Sequence, residues 1–246
     1  MALARAGLLL LVLAIWQLAA LWGGLDFLLG PWQVLKHFIE ALGTQELYVN
    51  AGASLARALP GFALGSLAGI ALGLAAGTSR AFDQAFSPAV FLSYPVPKIV
   101  MLPLFMLWFG IGETSKILVI ALACFYPLFI NAYYGVRAAP KILVWSGLNM
   151  GAGRWRIFSR VVLPAALPQI FAGLRVALAL SFIVMFAAEM INANSGLGQM
   201  IRIAENSLRF DLMYVSLISI AILGFAGDWL LSLARRRVLA WQGSAT

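Results

Sequence analysis

Residues 57–77 read RALPGFALGSLAGIALGLAAG. After Arg57 the stretch carries no charge, and at about 1.5 Å per residue it is long enough to cross a hydrocarbon layer of about 30 Å. Within it Gly61, Gly65, Gly69, Gly73 and Gly77 recur at every fourth position. Four residues turn a helix by about 400°, so these glycines form one slightly inclined stripe. In lipid, apolar side chains gain little by leaving the acyl tails. Helices attract instead through close backbone approach, which small residues permit. The stripe therefore reads as a packing face, with a sliding surface as the second reading.

The rest of the chain agrees with a membrane setting. Hydrophobic residues make up 63% and charged residues 11% of the 246 positions. Soluble domains carry about 45–50% and about 25%. Six segments have membrane length: 7–24, 54–77, 86–109, 116–135, 170–191 and 212–234. The expected fold is all-α, a polytopic membrane helix bundle of six transmembrane helices in a single domain spanning 1–246. No linker, composition break or internal repeat divides the chain. Arg5 followed by the apolar run Leu8–Leu21 has the outline of a signal peptide. The run continues to Trp22 without a small-x-small cleavage site, so a retained first span is expected.

Lys and Arg number 17 against 9 Asp and Glu. Such an excess collects in the cytoplasmic loops of membrane proteins, and binding to nucleic acid is not expected. With the N-terminus inside, Arg5, Arg80, Arg137, Lys141, Arg154, Arg156, Arg160 and Arg235–Arg237 share the cytoplasmic side with one acid, Asp83. The acids Asp26, Glu40, Glu46, Glu113, Glu205 and Asp211 fall outside. Both termini are thus expected in the cytoplasm. Cys124 is the only cysteine and His37 the only histidine, so neither a disulfide nor a metal site is expected.

The third span is interrupted by Pro88, Pro95, Pro97 and Pro103. Each removes an N–H donor and disfavours helix at the residue before it. Discontinuous helices near the midplane point to a translocation path, so Pro95 and Pro97 are candidates to line one. Charged residues inside spans are costly and hence functional candidates. Arg175 and Asp228 match in depth and are expected to pair. Lys98 adjoins the break and Glu189 lies in the fifth span; both are candidate path residues. For Lys98 three readings stay open: a place beside the path of an anion, a pair with Glu189, or snorkelling.

Residues 145–168 read WSGLNMGAGRWRIFSRVVLPAALP, too polar to span. On a helix Trp155, Phe158 and Val162 share one face, while Arg154, Arg156 and Arg160 take others. The segment is either an interfacial helix on the membrane or a docking helix for a soluble partner. Its spacing of Gly151, nine residues, Val161, one residue and Leu163-Pro164 resembles the coupling-loop signature of bacterial ABC importer permeases. That signature begins Glu-Ala-Ala six residues before the glycine; here Trp145, Ser146 and Gly147 stand there, without a carboxylate. YPVPKIVMLPLFMLWFGIGETSK at 94–116, AEMINANSGLGQMI at 188–201 and the glycine-striped segment resemble the nitrate/sulfonate/taurine/bicarbonate branch. The resemblance covers residues 50–235.

The resemblance implies an importer-type ABC permease fold with a cytoplasmic coupling helix, expected over 148–162 within a loop at 136–169. It implies an ATPase contact made by Gly151, Arg154, Trp155, Arg156, Phe158, Arg160, Val161, Leu163 and Pro164. Trp155, Phe158 and Val162 would be the buried face, and Pro164 would end the helix. It also implies a second permease copy as a homodimer, two cytoplasmic ABC ATPase subunits that carry the ATP and Mg, and an extracytoplasmic substrate-binding protein. The setting is a bacterial inner membrane, with lipid around the spans. The chain has no Gly-x4-Gly-Lys-Ser/Thr loop, so it is expected to be a non-catalytic transport subunit without a cofactor of its own. The expected cargo is a small anionic solute. The alternative is a secondary transporter with proline-broken helices, against which stands the missing inverted repeat.

Overall fold

A computed structural model describes residues 2–22 and 27–242. The last two positions of the first expected span, 23 and 24, and Asp26 lie outside the described residues, as does the side chain of Arg5. All regular structure among the described residues is helical. In chain order the helices are α1 Ala2–Trp22, α2 Pro31–Ala41, α3 Gln45–Thr78, α4 Arg80–Ser93, α5 Leu102–Phe109, α6 Glu113–Arg137, α7 Lys141–Asn149, α8 Arg154–Ile157, α9 Leu163–Ile191, α10 Leu197–Asn206 and α11 Phe210–Val238. One 3-10 turn, Lys98–Met101, leads into α5, another, Ala240–Gln242, follows α11, and a π-helical segment, Phe158–Val162, joins α8 to α9.

Four stretches among the described residues are long and apolar enough to cross a membrane: α3, α6, the continuous Arg154–Ile191 and α11. The pair Arg80–Ser93 and Lys98–Phe109 qualifies jointly but is bent by 97°, which makes up to five crossings against the six expected. The N-terminal candidate contributes a shorter apolar stretch, Leu10–Trp22. The bend falls at Pro95 and Pro97. Pro88 sits inside α4 and Pro103 in the first turn of α5, where a missing N–H leaves little unpaired. Between the first two expected spans lie α2 and the first turns of α3.

The described helices gather in two compact units. One holds Ala56–Ala188 with the chain from Gly224 onward, and its frame is α3 against α6. All five striped glycines face α6. A Cβ placed on Gly61 would lie 2.6 Å from Ile120, on Gly69 2.6 Å from the Phe125 carbonyl oxygen, on Gly73 2.5 Å from that of Phe129, and on Gly77 2.7 Å from Val136. On Gly65 it would strike the Ala121 carbonyl. Contact at backbone distance is thus what the four-residue spacing encodes. Ala132 and Val136 of α6 also pack on Ala166 and Ile170 of α9. Phe82, Phe86, Phe91 and Phe125 surround Phe129 and Tyr133 between α4 and α6.

The other unit holds the chain up to Leu55 with Glu189–Leu223. Its core is Ala41, Leu47, Leu197 and Val215, flanked by Phe38, Ala51, Ile220 and Leu223. The amphipathic α10 supplies Leu197, Met200, Ile201 and Ala204 to the buried side.

Candidate functional site

The segment expected as one coupling helix over 148–162 is not one helix. α7 ends at Asn149, and the chain turns through Met150–Gly153 with Gly151 at φ +76, a conformation that favours glycine. A new helix then starts at Arg154 and runs unbroken to Ile191. Pro164 does not end it. The turn before Pro164 is π-helical, with the Leu163 N–H donating to the Phe158 carbonyl. The wider turn makes room for a proline ring that would otherwise press on the carbonyl four residues back.

The expected apolar face divides accordingly. Trp155 is 77% exposed and lies 5.6 Å, ring to ring, from the half-buried Phe158. Val162 and Leu163 pack inward on the Ala132, Val136, Ala166 and Ile170 core, so Val162 is not part of an outward anchor. Ile157 is buried, Val161 and Pro164 are half-buried, and Arg154, Arg156 and Arg160 are exposed. Beside Trp155 opens a cleft of about 1320 Å³ whose lining includes Arg80, Arg137, Lys141, Trp145, Arg154 and Trp155. Asp83 also lines it and takes a hydrogen bond from Arg137 at 3.1 Å, and Arg137 bonds the Tyr133 hydroxyl. Trp145, Leu148 and Met150 of the α7 end are exposed as well. Sequence reading named Trp145 only as standing in the place of a carboxylate and did not single out the other two; the signal was three large apolar side chains within six residues.

At the proline break, Lys98 turns back onto the end of α4. Its ammonium donates to the carbonyls of Ser93 at 2.6 Å, Val96 at 2.7 Å and Tyr94 at 3.1 Å. It also stands 3.8 Å from the centre of the Tyr126 ring of α6. Glu189 is fully buried elsewhere. It accepts from the Ser54 hydroxyl at 2.9 Å and the Gly198 N–H at 2.9 Å, while Ser54 accepts from the Leu197 N–H and Asn50 from the Gly196 N–H. Gly196 has φ +117, and a Cβ there would run into the Glu189 carboxylate. Three consecutive amides at the start of α10 are thus held by three side chains.

Arg175 and Asp228 form a two-pronged pair at 2.7 and 2.8 Å. Sequence reading missed a further cluster, in which Arg57 and Lys116, 3% and 5% exposed, both bond Glu113. Two cations and an acid at the ends of neighbouring spans were its only trace in the sequence.

Residues 61–240 match the family described as the binding-protein-dependent transport system inner membrane component. The chain belongs to that family. Among its relatives, the taurine transport system permease protein TauC of Escherichia coli K12 is 37% identical over 88% of this chain and 81% of its own length. The riboflavin transport system permease protein RibX of Chloroflexus aurantiacus is 34% identical over 96% of this chain and 89% of its own. Among solved structures, an inward-facing form of the MetNI methionine ABC transporter superposes with a TM-score of 0.64 at 20% identity, over 77% of this chain and 94% of that one. The fold is therefore that of an ABC importer permease, a multi-pass inner-membrane component. The permease hydrolyses no ATP itself; that step belongs to a separate ATPase, and a substrate-binding protein is the other partner its family implies.

Proposed function

We propose that this permease imports a small anionic solute of the sulfonate kind, and that its ATPase docks on the surface formed by the end of α7, the Gly151 turn and α8. The observation that carries the docking reading is Trp155: a large aromatic, 77% exposed, its ring tilted against Phe158 at the edge of a cleft with Arg80, Arg137, Lys141 and Arg154 in its lining. Aromatic anchors bordered by cations are what a soluble partner with an acidic rim would engage. The concentration of Lys and Arg at this end supports placing it, and both termini, in the cytoplasm. A second copy of the permease completes the membrane unit, and the path runs beside the Pro95–Pro97 break. The relative named for taurine supports the sulfonate class, while the one named for riboflavin fits cargo choice residing in the binding protein.

Trp155→Ala combined with Phe158→Ala tests the docking surface. Anchors of this kind contribute about 2 kcal/mol each, so loss of one weakens binding about thirtyfold. The double variant is expected to lose the ATPase in co-purification, or to keep it with hydrolysis uncoupled from uptake. A complex that forms and transports normally would show that the surface rests on lipid.

A further inference from the structure

Tyr126 is the fourteenth of 25 residues in α6, about 16 Å along the axis from Arg137, which is close to the middle of a hydrocarbon layer of about 30 Å. Lys98, over that ring, is therefore a cation at mid-membrane depth. Its surroundings are the frayed end of α4. The Ser93 carbonyl would, in a continuing helix, accept from the amide four residues on, and that residue is Pro97, which has no N–H; the Val96 N–H reaches it instead, at 3.2 Å, and the helix goes no further. Backbone carbonyls freed at membrane depth need donors from the protein or from water in a cavity. An ammonium has three N–H donors, and three carbonyls, those of Ser93, Tyr94 and Val96, take them. The Tyr126 hydroxyl donates to the Ser93 hydroxyl at 2.9 Å, which ties the same turn to α6.

We infer that Lys98 is a positioning residue: its ammonium is the C-terminal cap of α4, and it holds the bend between α4 and α5 open in the membrane. A cation suits this place because the carbonyl end of a helix is the negative end of its dipole, and the Tyr126 ring face adds to the attraction. No donor of the ammonium is left for a passing anion. The role in transport rests on the reading of the break as part of the path, and the experiment separates the two.

In the purified importer in nanodiscs, nitroxide labels go on Leu92 of α4 and Leu107 of α5, 84% and 79% exposed; Cys124, being buried, does not compete for label. Pulsed electron paramagnetic resonance then reads the distance across the bend, and uptake in proteoliposomes is measured in parallel. Lys98→Met is expected to broaden or shift the distance distribution and to slow uptake tenfold or more, with the half-saturating solute concentration unchanged. Lys98→Arg, which keeps donors and charge, is expected to retain a narrow distribution. If Lys98→Met does not assemble, Lys98→Gln, which keeps two donors, is expected to slow uptake without raising half-saturation. A distribution in Lys98→Met identical to the parent overturns the cap. A tenfold rise in half-saturation in Lys98→Gln with unaltered distances overturns it in favour of solute contact. A disturbed distance with undiminished uptake supports the cap and overturns the place of the break in the path.

Discussion

Adding one methyl group to the middle of the glycine stripe should loosen the bundle. Take Gly69→Ala. The new Cβ would stand 2.6 Å from the Phe125 carbonyl oxygen, 2.9 Å from the Leu128 Cβ and 3.1 Å from the Phe129 nitrogen. Two of these three are backbone atoms of α6, which cannot swing aside as a flexible side chain can. To restore ordinary contact near 3.4 Å the helices must part by about 0.8 Å at this level. A gap of about 0.5–1 Å forfeits a quarter to a half of the dispersion energy of the contacts it opens, and Gly65 and Gly73, one turn away on either side, lose contact with it. Overpacking of this kind costs about 1–3 kcal/mol. For a chain of this size each kcal/mol lowers the midpoint by about 2–4 °C, so the melting temperature should fall by about 2–12 °C. The control is on the same helix: a Cβ on Gly52 meets nothing within 4 Å. Gly52→Ala should be neutral, or stabilising by up to about 1 kcal/mol through helix propensity. Both are read by thermal unfolding in one detergent, followed by far-ultraviolet circular dichroism. If Gly69→Ala melts with Gly52→Ala, the two helices can part without cost and the stripe is not a packing face.

Two further outcomes follow from the charge geometry. Arg175→Leu or Asp228→Leu alone leaves one unpaired charge at membrane depth, at a cost of about 2.5–3.5 kcal/mol, whereas the double variant removes both; membrane yield should fall in each single variant and recover in the double, and equal yields in all three would show the pair to be idle. Glu189→Ala removes a charged acceptor whose hydrogen bonds are each worth about 1.5–3 kcal/mol, so hydrogen exchange at Gly196–Gly198 should quicken roughly tenfold to a hundredfold, and parent-like exchange would mean that Asn50 and Ser54 hold the loop unaided.

What could be read in advance follows the range of the interactions involved. The glycine stripe is a local pattern, and its spacing alone predicted a close-packed face; the partner helix, α6, could not be named because packing partners are set by tertiary contact. The Arg175–Asp228 pair was legible from depth, since two opposite charges in apolar helices have few other choices. Lys98 was legible only as an anomaly. Its capping geometry depends on the chain doubling back at Pro95 and Pro97, which no periodicity records. Pro164 was misread as a stop because the stop rule assumes a regular i→i+4 ladder; one π turn removes the conflict between the ring and the Arg160 carbonyl. Trp155, Phe158 and Val162 were grouped by a 100° wheel, and the same π turn shifts Val162 out of that phase and onto the core.

The misread proline bears on how ATP could drive this permease. A coupling helix ended by Pro164 would be joined to the fifth span by a flexible link, and a push on Trp155 would be dissipated there. The structure has no such link. The helix that begins at Arg154 continues through Pro164, and its side chains at Ala166 and Ile170 are fixed on Ala132 and Val136 of α6. Arg175, about 30 Å along the axis from Trp155, is clamped to Asp228 of α11. Under the docking reading, displacement of Trp155 by the ATPase therefore moves the span itself, and α6 and α11 with it. Two soft places lie near its start: the π segment Phe158–Val162, where the hydrogen-bond ladder is already widened, and Pro168 inside α9, which has no N–H to give. A bend concentrated there would let the docking turn tilt while the helix beyond Pro168 moves as a rod. The cation-rich α8 and the proline signature are then parts of one device: the first engages the partner, and the second sets where the rod may flex.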